Sequence, residues 1–197
     1  MPLITTLAGA SARGYGGLST FGVPTSYESI ATVNITTNTA TIDFTSIPAD
    51  YTHLQVRFIG RSSNASAGTD NLQIRLNSDT GSNYAEHYVA GDGSSASASA
   101  QSSITNLVLR ECLSRNGNSA SIFSTGVIDF LDYTSTNKNK TMRTLFGHDR
   151  NGAGWLALGS GLYFATPAAI TSISFTVQSS NNFVQYSQFA LYGIKGA

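Results

Sequence analysis

The C-terminal stretch, residues 183–197, constrains the fold of this chain more than any other part of the sequence. Its aromatic and branched side chains favour a long β-strand. Phe189 and Leu191 share one parity of the strand period, and Ala190 and Tyr192 share the other. Because both faces carry apolar side chains, we expect this strand to lie between or against strands formed earlier in the chain. The sequence therefore predicts a non-local fold that is closed by its last segment, with no domain after it.

Most of the remaining chain alternates apolar and polar residues with period two. Val56 and Phe58 lie on one side of a predicted strand, and Arg57 and Arg61 lie on the other, as expected for an antiparallel strand with one buried face. Residues 72–76 repeat this pattern. Further strands are predicted at residues 31–35, 39–45, 84–89, 104–112, 120–133, 138–148, 155–164 and 170–178.

Short strands at regular intervals, with turn signals between them and no helical period, predict the fold class. We expect an all-β domain over residues 28–197, an antiparallel β-sandwich that is jelly-roll-like. Residues 120–133 are apolar on both parities, which predicts a central strand that is buried on both faces. Residues 90–103 are rich in alanine, glycine and serine, and we expect an exposed loop there.

Residues 1–27 are predicted to form an extended N-terminal arm. Five glycines lie among residues 1–24, and their conformational cost disfavours a helix. Two interpretations compete: an unstructured terminus, or an arm that becomes ordered on a partner. The scattered leucine, tyrosine and phenylalanine residues favour the arm, because a pure linker rarely contains them.

The composition favours dense assembly and excludes several partners. Charged residues make up only 11% of the chain, whereas it contains 27 serines, 22 threonines and 14 asparagines. Neutral polar surfaces avoid like-charge repulsion between neighbouring copies. Eleven basic and eleven acidic side chains give no net charge, so we expect no nucleic-acid partner. No apolar run reaches the roughly 18 residues of a membrane span, and no basic region marks a secretion signal, so we expect synthesis in a cytoplasm without membrane insertion.

Motifs for catalysis, metal binding or cofactor binding are absent from the sequence, and we expect none of these functions. His53, His87 and His148 lie in separate predicted strands without the spacing of a metal site. Cys112 is the single cysteine, and burial as a small apolar residue is the expected role. Trp155 follows a glycine-rich turn and has two alternative roles, stacking against a sugar ring or packing in a core or interface.

Several ordered blocks of the sequence resemble a known family. The blocks are residues 44–48, 51–57, 75–84, 128–133, 138–141 and 185–195. Together they cover about residues 40–197 and are similar to small virion proteins of tailed bacteriophages, described as tail-fibre or head-decoration structural proteins. The resemblance implies a non-enzymatic, oligomeric building block, which we expect to be a homotrimer located in the virion and made in the host cytoplasm.

The N-terminal arm resembles the leader of other phage appendage proteins, where such a segment would dock on the particle and contact other virion proteins. The residues assigned to this docking role are Ala10, Ser11, Ala12, Arg13, Gly14, Tyr15, Gly16 and Phe21.

Several functions stay open at this level. The first is a tail or baseplate fibre, whose loops near residues 62–70, 91–103 and 149–154 would face a host-surface glycan. The second is a capsid decoration protein, with the arm and one sheet face lying across the head. A carbohydrate-binding module that uses Trp155 is the third, and a glycan-degrading enzyme ranks last.

Overall fold

The computed structural model describes residues 26–196, which form twelve β-strands and one short 3₁₀ turn. The elements are β1 (Tyr27–Asn34), β2 (Thr41–Phe44), β3 (His53–Ser62), β4 (Thr69–Leu76), β5 (Tyr84–Gly91), β6 (Ala96–Ile104), β7 (Leu107–Arg115), β8 (Ser124–Leu131), β9 (Lys140–Asp149), β10 (Gly154–Tyr163), β11 (Ile173–Val177), the 3₁₀ turn η1 (Gln178–Ser180) and β12 (Gln188–Ile194).

The strands form two layers of unequal width. The larger sheet has the order β1-β12-β3-β8-β9-β10-β5-β6, and the smaller sheet has the order β2-β11-β4-β7. Neighbouring strands are antiparallel, except where the end of β3 leaves the larger sheet and runs parallel to β7 at Arg61 and Ser62. The predicted all-β class and sandwich architecture are confirmed. No helix in residues 26–196 is long and apolar enough to cross a membrane.

The alternating residues of the sequence fill the space between the two sheets. Val56 and Phe58 point inward from the larger sheet, and Leu72 and Ile74 point inward from the smaller one. All four are buried, as the period-two pattern predicts. Cys112 lies in the same core and is fully buried, so its predicted packing role is confirmed.

The C-terminal strand closes the fold as predicted. β12 lies between β1 and β3, with antiparallel pairs on both sides. The ring of Phe189 contacts Phe58 of β3, Phe175 of β11 and Phe183, with centroid distances of 5.3, 5.0 and 5.3 Å. Because β11 belongs to the smaller sheet, this aromatic cluster joins the two layers.

The strand is shorter than predicted, however. It begins at Gln188, and residues 184–187 form a turn in which Tyr186 has a positive φ of 72° and is 75% exposed. The backbone N–H of Ser187 donates to the carbonyl of Val184 (3.1 Å), which closes this turn before the strand can start.

Two further predictions are wrong. Residues 96–103, predicted within an exposed loop, belong to β6, because backbone pairing with β5 needs no bulky side chains. The strand predicted over residues 120–133 is central, but only its inner face is covered: Val127 is half-buried and Leu131 is 42% exposed.

The two ends of the sandwich differ in what they carry. At one end, which we call the loop end, lie the turns 63–68, 92–95, 116–123 and 150–153. At the opposite end Ser26 enters β1, where Tyr27 pairs with Ile194 and Ile194 pairs with His53. The segment before Ser26 therefore joins the sandwich at the end away from these four turns.

Candidate functional site

The loop end contains Trp155, the residue predicted to contact a glycan or to pack. Trp155 lies directly opposite His148 on the neighbouring strand, and both side chains point to the inner face of the larger sheet. The indole is half-buried and packs against the core. The sugar-stacking role stays a prediction, since part of the ring is already covered by the protein.

A tight turn precedes Trp155. The carboxylate of Asp149 accepts a hydrogen bond from the N–H of Asn151 (2.7 Å), and the N–H of Arg150 donates to the carbonyl of Ala153 (2.8 Å). Asn151 and Gly152 both adopt positive φ, 60° and 104°. Glycine suits the second position because it has no Cβ to clash in this conformation.

A shallow pocket lies between this turn and the neighbouring turn at residues 92–95, and His148 and Trp155 line it. The carboxylate of Asp92 accepts from the backbone N–H groups of Ser95 and Ser94 (2.7 and 2.8 Å). These hydrogen bonds hold the pKa of Asp92 well below its usual range, so the pocket carries a fixed negative charge at its rim.

The hairpin at residues 148–155 also contains buried nitrogen atoms without a hydrogen-bond partner. They are Nδ1 and Nε2 of His148, Nε of Arg150 and Nε1 of Trp155. In the described part of the chain one further buried side-chain atom, Nε of Arg75, has no partner. Since unpaired buried polar groups are rare and costly, their concentration at residues 148–155 distinguishes this region from the rest of the molecule.

Burial sets the charge of His148. Desolvation, together with the neighbouring Arg150 guanidinium, lowers the pKa of this imidazole to about 4, while Asp149 acts in the opposite direction. His148 is therefore neutral near pH 7.

The remaining turns of the loop end are held in place by two buried polar side chains that the sequence did not reveal as special. The first is Arg61, which was predicted to lie on the solvent-facing side of β3. It is instead 5% exposed and donates to the carbonyls of Arg115, Asn116, Asn118 and Ser119 at 3.0–3.3 Å. The prediction is wrong because β3 leaves the larger sheet at this residue.

The second is Asp70, which is also buried. Its carboxylate accepts hydrogen bonds from the hydroxyl of Ser62, from Nε of Arg115 (2.8 Å) and from the amides of Asn64 and Asn181 (both 3.4 Å). These contacts join the 63–68 turn to the end of β7 and to the segment after η1. The loop end is therefore braced from below rather than loosely connected.

The potential metal ligands among the described residues do not form a cluster. Residues 26–196 contain no group of three or more histidine, cysteine, aspartate or glutamate side chains that could hold a metal ion. His53 accepts a hydrogen bond from the N–H of Asp132 (2.9 Å), His87 is exposed on β5, and His148 is buried at the loop end. Burial raises the pKa of the Cys112 thiol well above its ordinary value.

The predicted docking residues, Ala10 to Gly16 and Phe21, lie outside the described residues. Their proposed role stays a prediction.

Comparisons with known proteins identify no family. No protein-family model matches the chain, and no curated protein matches it. A solved structure of infectious bursal disease virus, Gx strain, is 11% identical over 84% of this chain, with a TM-score of 0.12. This chain spans 40% of the length of that viral chain. A TM-score this low carries no argument about fold or function.

Proposed function

We propose that the protein is a non-enzymatic structural protein of a tailed-phage virion, an oligomeric tail or baseplate appendage docked by its N-terminal arm. The observation that carries this proposal is the opposite placement of the chain entry and the loop end. Ser26 enters β1 at one end of the sandwich, and the turns at 63–68, 92–95, 116–123 and 150–153 lie at the other. A module docked through residues 1–27 would present those turns away from the particle.

The bracing of the loop end supports the same role. Arg61 and Asp70 fix the 63–68 and 116–123 turns through buried hydrogen bonds. A turn that is already ordered loses little conformational entropy when it binds a partner. A host-surface receptor that contacts these turns would therefore meet a preorganised surface.

The experiment that tests the docking role compares the full chain with a variant lacking residues 1–22. Both are supplied to phage particles whose own copy has been removed, and incorporation is measured by quantitative immunoblotting of purified particles. We expect the truncated chain to fold, with the same circular dichroism spectrum, and to be absent from particles. Incorporation of the truncated chain at the level of the full chain would remove the docking assignment.

A head-decoration role is the second candidate, and one observation favours it. The solvent-facing side of the larger sheet is wide and carries exposed leucine side chains, as a surface lying on a capsid would. Particles that lack the protein distinguish the candidates. Intact heads with lost adsorption support the appendage, whereas fragile heads with normal adsorption support head decoration.

A further inference from the structure

The exposed apolar side chains of this protein are concentrated on one surface. In the described part of the chain, nine large hydrophobic side chains are exposed, and eight of them lie on the solvent-facing side of the larger sheet, which we call the outer face. Scattered apolar residues are normal on protein surfaces, but a contiguous apolar surface indicates a binding site. The eight are Tyr27, Ile59, Val89, Leu131, Leu145, Leu156, Leu158 and Leu162.

The strand register places the centre of this surface in one continuous row. Val127 pairs with Leu145, Leu145 with Leu158, Leu158 with Val89, and Val89 with Ala98. Residues paired across strands on the same face have Cβ atoms roughly 5 Å apart, so these side chains touch one another. An unbroken apolar row therefore crosses β8, β9, β10, β5 and β6.

The surface around this apolar row is grooved. A shallow groove lies on each side of Leu158, one lined by Val89 and Ala98 and the other by Arg57 and Val127. Side chains of a facing surface would fit into such grooves, as they do between the sheets of a β-sandwich.

The outer face is large enough for a stable interface. The apolar part spans four strand spacings and about six residues along each strand, roughly 19 by 20 Å or ~400 Å². The six strands from β3 to β6, which would overlap in the arrangement proposed below, span five strand spacings and about eight residues, ~650 Å². Standard protein interfaces bury about 600–1,000 Å² on each partner.

One edge of this surface is also unprotected. β6 pairs with β5 on one side only, and residues 96–103 are exposed along their whole length. Natural edge strands are shielded by charged residues, proline or covering segments. β6 contains only alanine, serine, glutamine and isoleucine, so its shielding must come from elsewhere.

Charge on the outer face selects among partners. Arg143 forms an ion pair with Asp129 (2.9 Å between Nη2 and Oδ2), which neutralises both. The guanidinium of Arg57 forms cation–π contacts with Tyr27 and Tyr192, whose ring centroids lie 5.5 and 5.9 Å from its central carbon. A nearly neutral, apolar face does not complement the negative charge of nucleic acid or of an acidic surface.

We propose that the outer face binds the same face of a second copy of this chain, through a two-fold axis that runs along the strands between β9 and β10. This rotation places Leu145 against Leu158, and Val127 against Val89, in both directions, as an isologous interface requires. It also places the bulky Arg57 of each copy against the small Ala98 of the other. A large side chain thus meets a small one at each end of the row, and side chains of equal size meet at its centre. The arrangement is a dimer, unlike the trimer expected from the sequence, and it does not depend on a role in a virion.

The first test measures the mass of the full-length chain in solution by analytical ultracentrifugation at micromolar concentration. We expect the wild-type chain to be a dimer and Leu158→Lys to be a monomer, because the substitution buries a charge at the centre of the interface. The dissociation constant should rise at least thirty-fold, the effect of losing one hot-spot residue. Thr41→Lys is the matched control, since Thr41 is exposed on the smaller sheet, on the opposite side of the sandwich, and it should remain dimeric.

A wild-type monomer would overturn the proposal, as would a dimer that Leu158→Lys leaves intact. A wild-type trimer would overturn the two-fold arrangement. Folding is monitored by circular dichroism, and Leu158→Ser provides a second variant that removes the apolar side chain without adding a charge.

A second measurement tests the geometry directly. Val89 and Val127 lie on strands three spacings apart, about 14 Å, but face one another across the proposed interface. A Val89→Cys, Val127→Cys variant treated with a short bismaleimide should give a covalent dimer on a denaturing gel. A Ser174→Cys variant, on the smaller sheet, should remain monomeric on the gel. Equal yields from the two variants would overturn the face-to-face arrangement.

Discussion

His148 gives the protein a specific sensitivity to acid. The imidazole is 9% exposed, its two nitrogens have no hydrogen-bond partner, and burial lowers its pKa to about 4 from an ordinary 6.5. Between these two values the unfolded chain binds a proton that the folded chain excludes. The contribution of the neutral imidazole to the free energy of unfolding is therefore fully present above pH 6.5, and it is lost as the pH drops from 6.5 towards 4.

The size of the effect follows from the two pKa values. Lowering the pH from 7 to 5 should remove about 2 kcal/mol of the free energy of unfolding through His148 alone, and the loss should approach about 3 kcal/mol near pH 4. This is a substantial part of the stability of a typical domain, about 5–15 kcal/mol.

Urea unfolding at pH 7 and pH 5, at one fixed protein concentration, measures the effect. His148→Phe keeps a ring of similar size and cannot be protonated, so we expect it to lose about 2 kcal/mol less than the wild-type chain over this pH interval. His87→Gln is the matched control, because His87 is exposed in the isolated chain. Both variants are compared in the Leu158→Lys background, which keeps the outer face unpaired, and His87→Gln should follow its parent chain. If His148→Phe and the wild type lose equal free energy, the reasoning is refuted.

Three further predictions concern packing and buried polarity, and urea unfolding checks each. Phe189→Ala removes the ring that joins the two layers and should cost about 4 kcal/mol, while a cost below 1 kcal/mol would contradict the role of the cluster. Asp70→Ala leaves the Arg115 guanidinium without its carboxylate and should cost about 3 kcal/mol, with Asp70→Asn between that value and wild type. Gly193→Ala should cost about 1–3 kcal/mol because its Cβ would overlap the ring of Tyr51. The double variant that adds Tyr51→Ala should show no extra cost from the alanine at 193, and a strictly additive loss would refute the clash.

The strands with large alternating side chains could be predicted from the sequence because their periodicity reports which face is buried. Val56, Phe58 and Leu72 are examples, and their inward placement is confirmed. β6 escaped prediction because alanine and serine provide no contrast between faces. Its strand state depends on pairing with β5, which lies across a turn at residues 92–95.

The loop end was less accessible to sequence reasoning. Arg61 continues the polar parity of its strand, and nothing local signals that β3 crosses to the smaller sheet there. The pairing of Trp155 with His148 depends on the register of a hairpin, and the contact of Asp70 with Asn181 joins residues 111 positions apart. A sequence pattern predicts which face of a strand a residue lies on. Which residue it contacts on that face depends on the order and register of the strands in the sheet.

The position of β12 between β1 and β3 has a consequence for synthesis. The residues of β1 are synthesised early, yet their pairing partner, β12, is complete only when translation has passed Ile194. Until then the ring of Phe58 lacks its stacking partner and one edge of β3 is open. A chain that terminates early would therefore be a substrate for proteases and chaperones rather than a competitor for assembly sites, so the fold itself discriminates against incomplete copies.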